Sequence, residues 1–259
     1  MEIVPVPLLA DNYGYLLIDP ATKRAAIVDC SEAAPVLAEV KRRGLHLDAV
    51  LSTHHHFDHV GGNEELARAN PGIRVLGSRA DLSRVPALTE PLADGEEFEV
   101  IGARGRALFI PAHTSGHVAY FFPGDGPSVF SGDTLFAAGC GRLFEGSPAQ
   151  MMQSLGKLAV LPDATQVWCG HEYTEKNLCF AHELEPANPE ITAKLERVRA
   201  QRKAGKPTVP STIGEEKRTN PFLRWESPEL RGTLQRRFPD LSPDPVTVFA
   251  KIRELKDQF

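Results

Sequence analysis

The chain has 259 residues, 42 % hydrophobic and 24 % charged, the balance of a globular protein with enough apolar material for one large domain or one domain and an appendage. Its 29 basic and 34 acidic residues leave a net charge of -5, which argues against a general nucleic-acid binder. No apolar run approaches the ~20 residues of a membrane span, and Met1-Glu2-Ile3-Val4-Pro5 lacks the basic stretch and apolar core of a secretory leader. Cys30, Cys140, Cys169 and Cys179 form no C-x-x-C and read as reduced, mostly buried thiols of a cytoplasmic protein.

Short apolar runs bounded by Gly, Pro and Asp predict strands over Ile3–Leu8, Tyr15–Ile18, Ala25–Val28, Ala49–Ser52, Ile73–Leu76, Glu97–Val100, Ala107–Ile110, Ala119–Phe122, Ser128–Phe130 and Gln166–Trp168. Helices fall between them: Glu32–Arg43 with Ser31 as cap and Gly44 as stop, Asn63–Ala69, and Pro148–Leu158 with Ser147 as cap. After Gly170 the texture turns helical: Thr174–Leu184, Pro189–Ala204, Pro228–Phe238 and Pro245–Leu255. Strands first and helices last predict an α+β domain over 1–172 and a small helical domain over 173–259. The basic stretch Glu196–Lys203 reads as a solvated helix face.

The run His54-His55-His56-Phe57-Asp58-His59, read as H-x-H-x-D-H, crowds three imidazoles and a carboxylate into one short loop. Packing does not ask for this; divalent metals do, because imidazole nitrogen and carboxylate oxygen are their ligands. One tetrahedral ion cannot take all four groups from so short a loop. The spacing suits two ions, with His54 and His56 on one and Asp58 and His59 on the other. A solvated His-rich loop or a tag remnant fits poorly, since the run is internal, between an apolar strand and a glycine turn.

A two-ion site needs further ligands, and the chain offers them just past predicted strands. His113 follows Ala107–Ile110, Asp133 follows Ser128–Phe130 in Ser131-Gly132-Asp133-Thr134, and His171 follows Gln166–Trp168 in Cys169-Gly170-His171-Glu172-Tyr173. Strand-end loops hold catalytic groups rigidly where substrate can approach, and the two oxygens of Asp133 could bridge two ions. His117 competes with His113, which lies nearer its strand; His117 then supports the ligands. His55 alternates away from its neighbours and holds the loop, His46 and His182 read as surface residues, and Asp29 is either an acceptor for a ligand imidazole or a turn residue.

These residues resemble the metallo-β-lactamase superfamily, whose T-H-x-H-x-D-H motif, later His, bridging Asp and final His occur here in that order. Cys140-Gly141-Arg142-Leu143-Phe144-Glu145-Gly146, Gly170-His171-Glu172-Tyr173-Thr174, Thr219-Asn220-Pro221-Phe222-Leu223-Arg224 and the terminal Lys256-Asp257-Gln258-Phe259 narrow the resemblance to the hydroxyacylglutathione hydrolase (glyoxalase II) family, from Asp11-Asn12-Tyr13 to the last residue. The resemblance implies an αββα sandwich followed by a helical domain, and hydrolysis of S-D-lactoylglutathione to D-lactate and glutathione in methylglyoxal detoxification. It implies two divalent ions, zinc first with iron or manganese as alternatives: His54, His56 and His113 on one, Asp58, His59 and His171 on the other, Asp133 between. Tyr173, Arg253 and Lys256 match the family's glutathione-binding residues. Arg142 stands where the family has Lys, keeping the charge, and Phe144 where it has Tyr, losing a hydroxyl.

The chemistry is coherent. A metal-bound water has its pKa lowered to about 7, two ions can share one hydroxide, and an ion can stabilise the oxyanion formed on a thioester carbonyl. Asp58 can orient that nucleophile as well as bind metal, so Asp58 and Asp133 are the expected catalytic carboxylates. The leaving thiolate needs little protonation. The expected partner is a small glutathione thioester met by a monomer, with no nucleic acid or membrane. Two other readings stand beside this one: a glutathione persulfide dioxygenase of the same superfamily, and a metal-binding protein without activity.

Overall fold

Strand β1 (Glu2–Leu8) turns tightly into β2 (Asn12–Ile18), which pairs with β3 (Arg24–Val28); the three are antiparallel. Helix α1 (Ala33–Arg43) crosses to β4 (His46–Leu51), and α2 (Phe57–Val60) and α3 (Asn63–Ala69) cross to β5 (Arg74–Ser78). A 3-10 turn (Arg79–Asp81) leads on to β6 (Glu90–Leu92), and β3 to β6 run parallel. This computed structural model describes residues 1–259. The second half repeats the plan with β7 (Glu97–Val100), β8 (Ala103–Phe109), β9 (Val118–Phe122) and β10 (Ser128–Gly132), all antiparallel. A small hairpin, β11 (Leu135–Phe136) and β12 (Gly139–Cys140), and helix α4 (Pro148–Ala159) precede β13 (Gln166–Cys169), which lies parallel to β10.

The C-terminal helices are α5 (Thr174–Leu184), α6 (Pro189–Lys203), α7 (Ile213–Thr219), α8 (Pro228–Arg237) and α9 (Pro245–Gln258). Between α6 and α7, β14 (Ser211–Thr212) pairs with β13 and completes the second sheet. The sheet orders are β1-β2-β3-β4-β5-β6 and β14-β13-β10-β9-β8-β7.

The period of two along a strand explains the layers. Tyr13, Tyr15 and Leu17 of β2 point into a core between the sheets with Tyr120, Phe130 and Trp168. Leu16 and Ile18 point the other way, onto Val36 and Val40 of α1 and Leu66 of α3. On the far side, Phe121, Val129 and Val167 meet Met151, Leu155 and Leu158 of α4, and this core continues into Leu230, Leu234, Val248, Phe249 and Ile252 of α8 and α9. The architecture is therefore the expected α+β sandwich of αββα layers, with the helical region packed into the outer core of the second sheet. Burying a side chain such as Phe249 stabilises by roughly 1.5–3 kcal/mol, so α9 is held by apolar area as well as by polar contacts.

Every predicted strand and helix is present. The short pieces β6, β11, β12, β14 and α2 show no period in so few residues, and α7 lies outside the expected helices. One cap differs. Glu32 occupies the N-cap of α1 without a side-chain bond, while the Ser31 hydroxyl donates to the Asp58 carbonyl, so a cap-type residue is spent on the loop carrying the His cluster. At α4 the expected cap holds, as a capping box of Ser147 with Gln150.

Candidate metal centre

The site residues lie where strands of both sheets end on one rim. His54 and His56 follow β4, Asp58 and His59 sit on the single turn of α2, His113 follows β8, Asp133 follows β10 and His171 follows β13. The fold brings all seven together. His54, His56 and His113 form one group whose possible ligand atoms lie within 4.8 Å of one another; Asp58, His59 and His171 form a second, and His54, His59 and Asp133 a third that joins them. The Asp133 carboxylate stands at the centre, Oδ1 3.3 Å from His59 Nε2, and Oδ2 3.3 Å from His171 Nε2 and 3.5 Å from His113 Nε2.

The outer ring nitrogens are occupied. His59 Nδ1 donates to Asp29 Oδ2 at 2.8 Å, His171 Nδ1 to Asp11 Oδ1 at 2.9 Å, and His113 Nδ1 to the Arg142 carbonyl at 3.0 Å. Thr53 gives its hydroxyl proton to Asp29 at 2.8 Å, so its oxygen accepts from His54 Nδ1 at 3.1 Å. This network puts a proton on each outer nitrogen and leaves the Nε2 atoms of these four rings aimed inward, the arrangement that prepares imidazoles for a metal. At His56 it is Nδ1 that faces in, 3.1 Å from both His54 Nε2 and His113 Nε2.

The fit to divalent ions can be judged on two observations. His59 Nε2 and Asp133 Oδ1 are buried with no hydrogen-bond partner, a cost unless something electrophilic meets them. Metal bonds of ~2.0–2.1 Å at tetrahedral angles put neighbouring ligand atoms about 3.3–3.4 Å apart, and the closest pairs here, at 3.1 to 3.6 Å, bracket that value. Charge agrees. Burial pushes His54 well below the ordinary imidazole range, and burial also lowers His56 and His113, so that group offers neutral lone pairs. At His171 burial opposes protonation, yet Asp133 and Asp58 prevail and raise it to about 10; at His59, Asp133 and Asp29 likewise overcome burial and raise it well above the ordinary value. Carboxylates that hold protons on two imidazoles are asking for positive charge, which a metal cation supplies.

Close backbone approach accompanies the cluster. A Cβ on Gly170 would stand 2.4 Å from Asp133 Oδ1 and 2.6 Å from His59 Cε1, so only glycine fits between His171 and its strand. Asp29 answers both readings offered for it: its backbone is left-handed, with φ 52°, and its carboxylate binds Thr53 and His59. His117 accepts the Asp133 N–H at 3.1 Å, a supporting role, and His55 faces Asp81 and Glu145. His46 is exposed.

A cleft of about 400 Å³ opens above the cluster, with His56, Asp58, His113, Asp133 and His171 at its floor. Arg142, Tyr173, Arg253 and Lys256 all line it. Tyr173 stacks on His171 at 4.7 Å with an interplanar angle of 4°. Phe144 is 60 % exposed and sets its ring against those of His56 and His113. The basic residues differ. The Arg142 side chain is 65 % exposed, with Asp257 as a distant partner at 3.7 Å. Arg253 is buried, its Nη1 donating to the Cys140 carbonyl and its Nη2 to Asp257. Lys256 lies over the rings of Phe180 and Phe259, and burial, then Arg253 and Lys176, bring it down to about 8. Asp11, Asn12 and Lys176 escaped sequence reasoning. Asn12 Nδ2 donates to Asp58 Oδ2 at 3.1 Å, and Lys176 lines the cleft; a short turn and a helix surface carry no signal for either.

Two sheets face to face with a His/Asp cluster at their common rim define the metallo-β-lactamase superfamily, and the superfamily model matches residues 8–171. The model for the C-terminus of hydroxyacylglutathione hydrolase matches residues 172–259. The chain belongs to the hydroxyacylglutathione hydrolase family. A hydroxyacylglutathione hydrolase of Synechococcus sp. (strain JA-3-3Ab) is 53 % identical over 259 residues, all of both chains. Among solved structures, ETHE1 from Myxococcus xanthus superposes with a TM-score of 0.66 at 25 % identity, covering 99 % of this chain and 98 % of that one. TTHA1623 in a di-iron-bound form gives 0.60 at 28 %, covering 86 % and 100 %.

Proposed function

We propose that the protein hydrolyses S-D-lactoylglutathione, and other S-2-hydroxyacylglutathiones, to the 2-hydroxy acid and glutathione. The observation that carries this is the joining of two features in one cleft: the seven-residue His/Asp cluster at the floor and cationic and aromatic side chains from the C-terminal helices on the wall. In this reading His54, His56 and His113 hold one divalent ion, Asp58, His59 and His171 another, and Asp133 lies between. The nearness of Asp133 to both groups supports a count of two, as does the di-iron-bound relative. Zinc is the expected metal, with iron or manganese as alternatives, because the donor set suits all three.

Such ions supply hydroxide at neutral pH and polarise a carbonyl. The chain does the rest. Asp29, Asp11, Thr53 and the Arg142 carbonyl fix the imidazoles. Asp58, with its side chain 40 % exposed and steadied by Asn12, faces the cleft and can orient the nucleophile. Arg142 and Lys256 offer positive charge to the carboxylates of the tripeptide, and Tyr173 offers a hydroxyl and a ring face. The departing thiolate is stable enough to leave without a proton.

The protein is expected to act as a cytoplasmic monomer on a small-molecule substrate, a location with which its four free cysteines, three of them buried, agree. In this reading the chain divides into a catalytic domain over 1–172 and a helical substrate-binding domain over 173–259, which the change from strands to helices after Gly170 supports. The test is turnover of S-D-lactoylglutathione by protein whose ions have been counted. We expect two ions per active chain and strong preference over a small thioester lacking glutathione. Full activity with one ion, or no such preference, refutes the reading.

A further inference from the structure

A polar chain that begins between β5 and β6 lies outside the seven residues of the cluster. Asp81, ending the 3-10 turn, is fully buried. Its Oδ1 accepts from Arg84 Nη2, and its Oδ2 points at His55 Nδ1 at 3.4 Å. Arg84 continues outward: Nη2 also donates to Ser115 Oγ at 2.8 Å, and Nη1 donates to both oxygens of Glu145, at 2.9 and 3.0 Å. Glu145 Oε2 accepts the backbone N–H and the hydroxyl of Ser115, each at 2.7 Å, and its Oε1 lies 3.7 Å from His55 Nε2. Hydrogen bonds thus run from Asp81 through Arg84 to Ser115 and Glu145, and the His55 ring faces both carboxylates without a hydrogen bond to either.

His55, Ser115 and Glu145 sit on segments that serve one half of the metal centre, and Asp81 and Arg84 face them from the segment between β5 and β6. His55 lies between His54 and His56. Ser115 lies two residues after His113, in a loop pressed against Asp81 so closely that a Cβ on Gly116 would come within 2.0 Å of Asp81 Oδ1. Glu145 closes the segment whose Arg142 carbonyl accepts from His113 Nδ1. The other group, Asp58, His59 and His171, is steadied by Asn12, Asp29 and Asp11, of which Asp29 also reaches His54 through Thr53. Burying a carboxylate is costly unless it is met by partners; Asp81 is met by Arg84, whose partly exposed guanidinium carries the contact on to the loops of Ser115 and Glu145.

We propose that Asp81, Arg84 and Glu145 are positioning residues for the first ion alone, setting the loops of His54, His56 and His113 at the separation that ion requires. The inference rests on the two-ion reading above. Arg84 is the keystone, because a planar fork spans two carboxylates where an ammonium cannot.

The test is a competition titration of the fully loaded protein with a chromogenic chelator, which resolves release of the two ions, on wild type, Arg84→Met, Arg84→Lys and Glu145→Gln. Arg84→Met is expected to weaken one release step about 10–100-fold, the usual effect of removing a group that supports metal ligands, and to leave the other unchanged. Arg84→Lys should fall between wild type and Arg84→Met. Equal weakening of both steps, or no change in either, overturns the proposal. If Arg84→Met does not fold, Glu145→Gln, altered on a more exposed segment, must show the same one-sided effect or the proposal falls. A wild-type protein that releases only one ion refutes the two-ion reading, and this outcome is recognised without any variant.

Discussion

Arg253 Nη1 donates to the carbonyl oxygen of Cys140 at 2.7 Å, joining the last helix to the small hairpin 113 residues earlier. The same guanidinium lines the cleft and lies 5.1 Å from the centre of the Phe222 ring. Arg253 thus shapes the segment that leads to Arg142 and Phe144, whereas Lys256, one turn on, has one carbonyl at 3.4 Å and the faces of two rings for its ammonium. We expect the two to separate on substitution. Lys256→Ala should raise KM for glutathione thioesters with kcat and thermal stability little changed. Arg253→Ala should raise KM and also lower stability by about 1.5–3 kcal/mol, the range for a hydrogen bond involving a charged group. Neither should alter metal content or the slow hydrolysis of a small thioester without glutathione. Steady-state kinetics with thermal denaturation checks this; equal KM values in wild type and the double variant would remove both residues from recognition.

Asp133→Ala should be the most damaging of the carboxylate and imidazole replacements. Its two oxygens stand near His59, His171 and His113, so its loss disturbs both groups, whereas Asp58→Ala and His113→Ala each disturb one. Removing a supporting residue costs 10–100-fold in metal affinity or activity as a rule, and Asp133→Ala should exceed about 100-fold. Elemental analysis and kcat for the three variants decide. Near-normal metal and turnover in Asp133→Ala would mean that another group joins the ions.

Removing the metal should reverse the pH dependence of stability. In the metal-free protein His171 is raised to about 10 from an ordinary value near 6.5. Its stabilising contribution is complete below about pH 6.5 and disappears as pH rises through about 10. His59 is shifted in the same direction. The loaded protein should behave oppositely, losing stability on acidification as protons compete for the ligands. Chemical denaturation of both forms from pH 6 to pH 10 reads the slopes. Parallel curves would show that these imidazoles do not bind the metal.

Recognition should weaken in alkali before chemistry does. Lys256 is lowered to about 8 by burial and by Arg253 and Lys176, so free enzyme loses this cation as pH passes 8, and KM should rise there. Lys256→Arg, which stays charged, should move the rise to higher pH. A KM flat from pH 7 to 9 in wild type would show that the ammonium does not meet the substrate. Phe144→Tyr offers a complementary gain. The ring borders the cleft, and one restored hydrogen bond of about 0.5–1.5 kcal/mol should lower KM about 2–10-fold. An unchanged KM would mean that the hydroxyl finds no partner there.

The His54–His59 run, the isolated His113, Asp133 and His171 past strand ends, and the order of strands then helices were legible along the chain. Metal chemistry demands particular donor atoms, and alternating apolar residues demand buried strands, whatever surrounds them. Which atoms meet could not be read there. Asp29 holds His59, Asp11 holds His171, and the Arg142 carbonyl holds His113, across 30, 160 and 29 residues of chain respectively. An acidic residue in a turn looks the same whether it faces solvent or an imidazole, and a backbone carbonyl has no identity in sequence at all. The division of labour between Arg253 and Lys256 was decided by packing as well. Three positions apart on one helix, both face the cleft. Only the depth at which α9 seats Phe249 and Ile252 against the second sheet determines that the first guanidinium reaches a carbonyl while the next ammonium stays near the substrate.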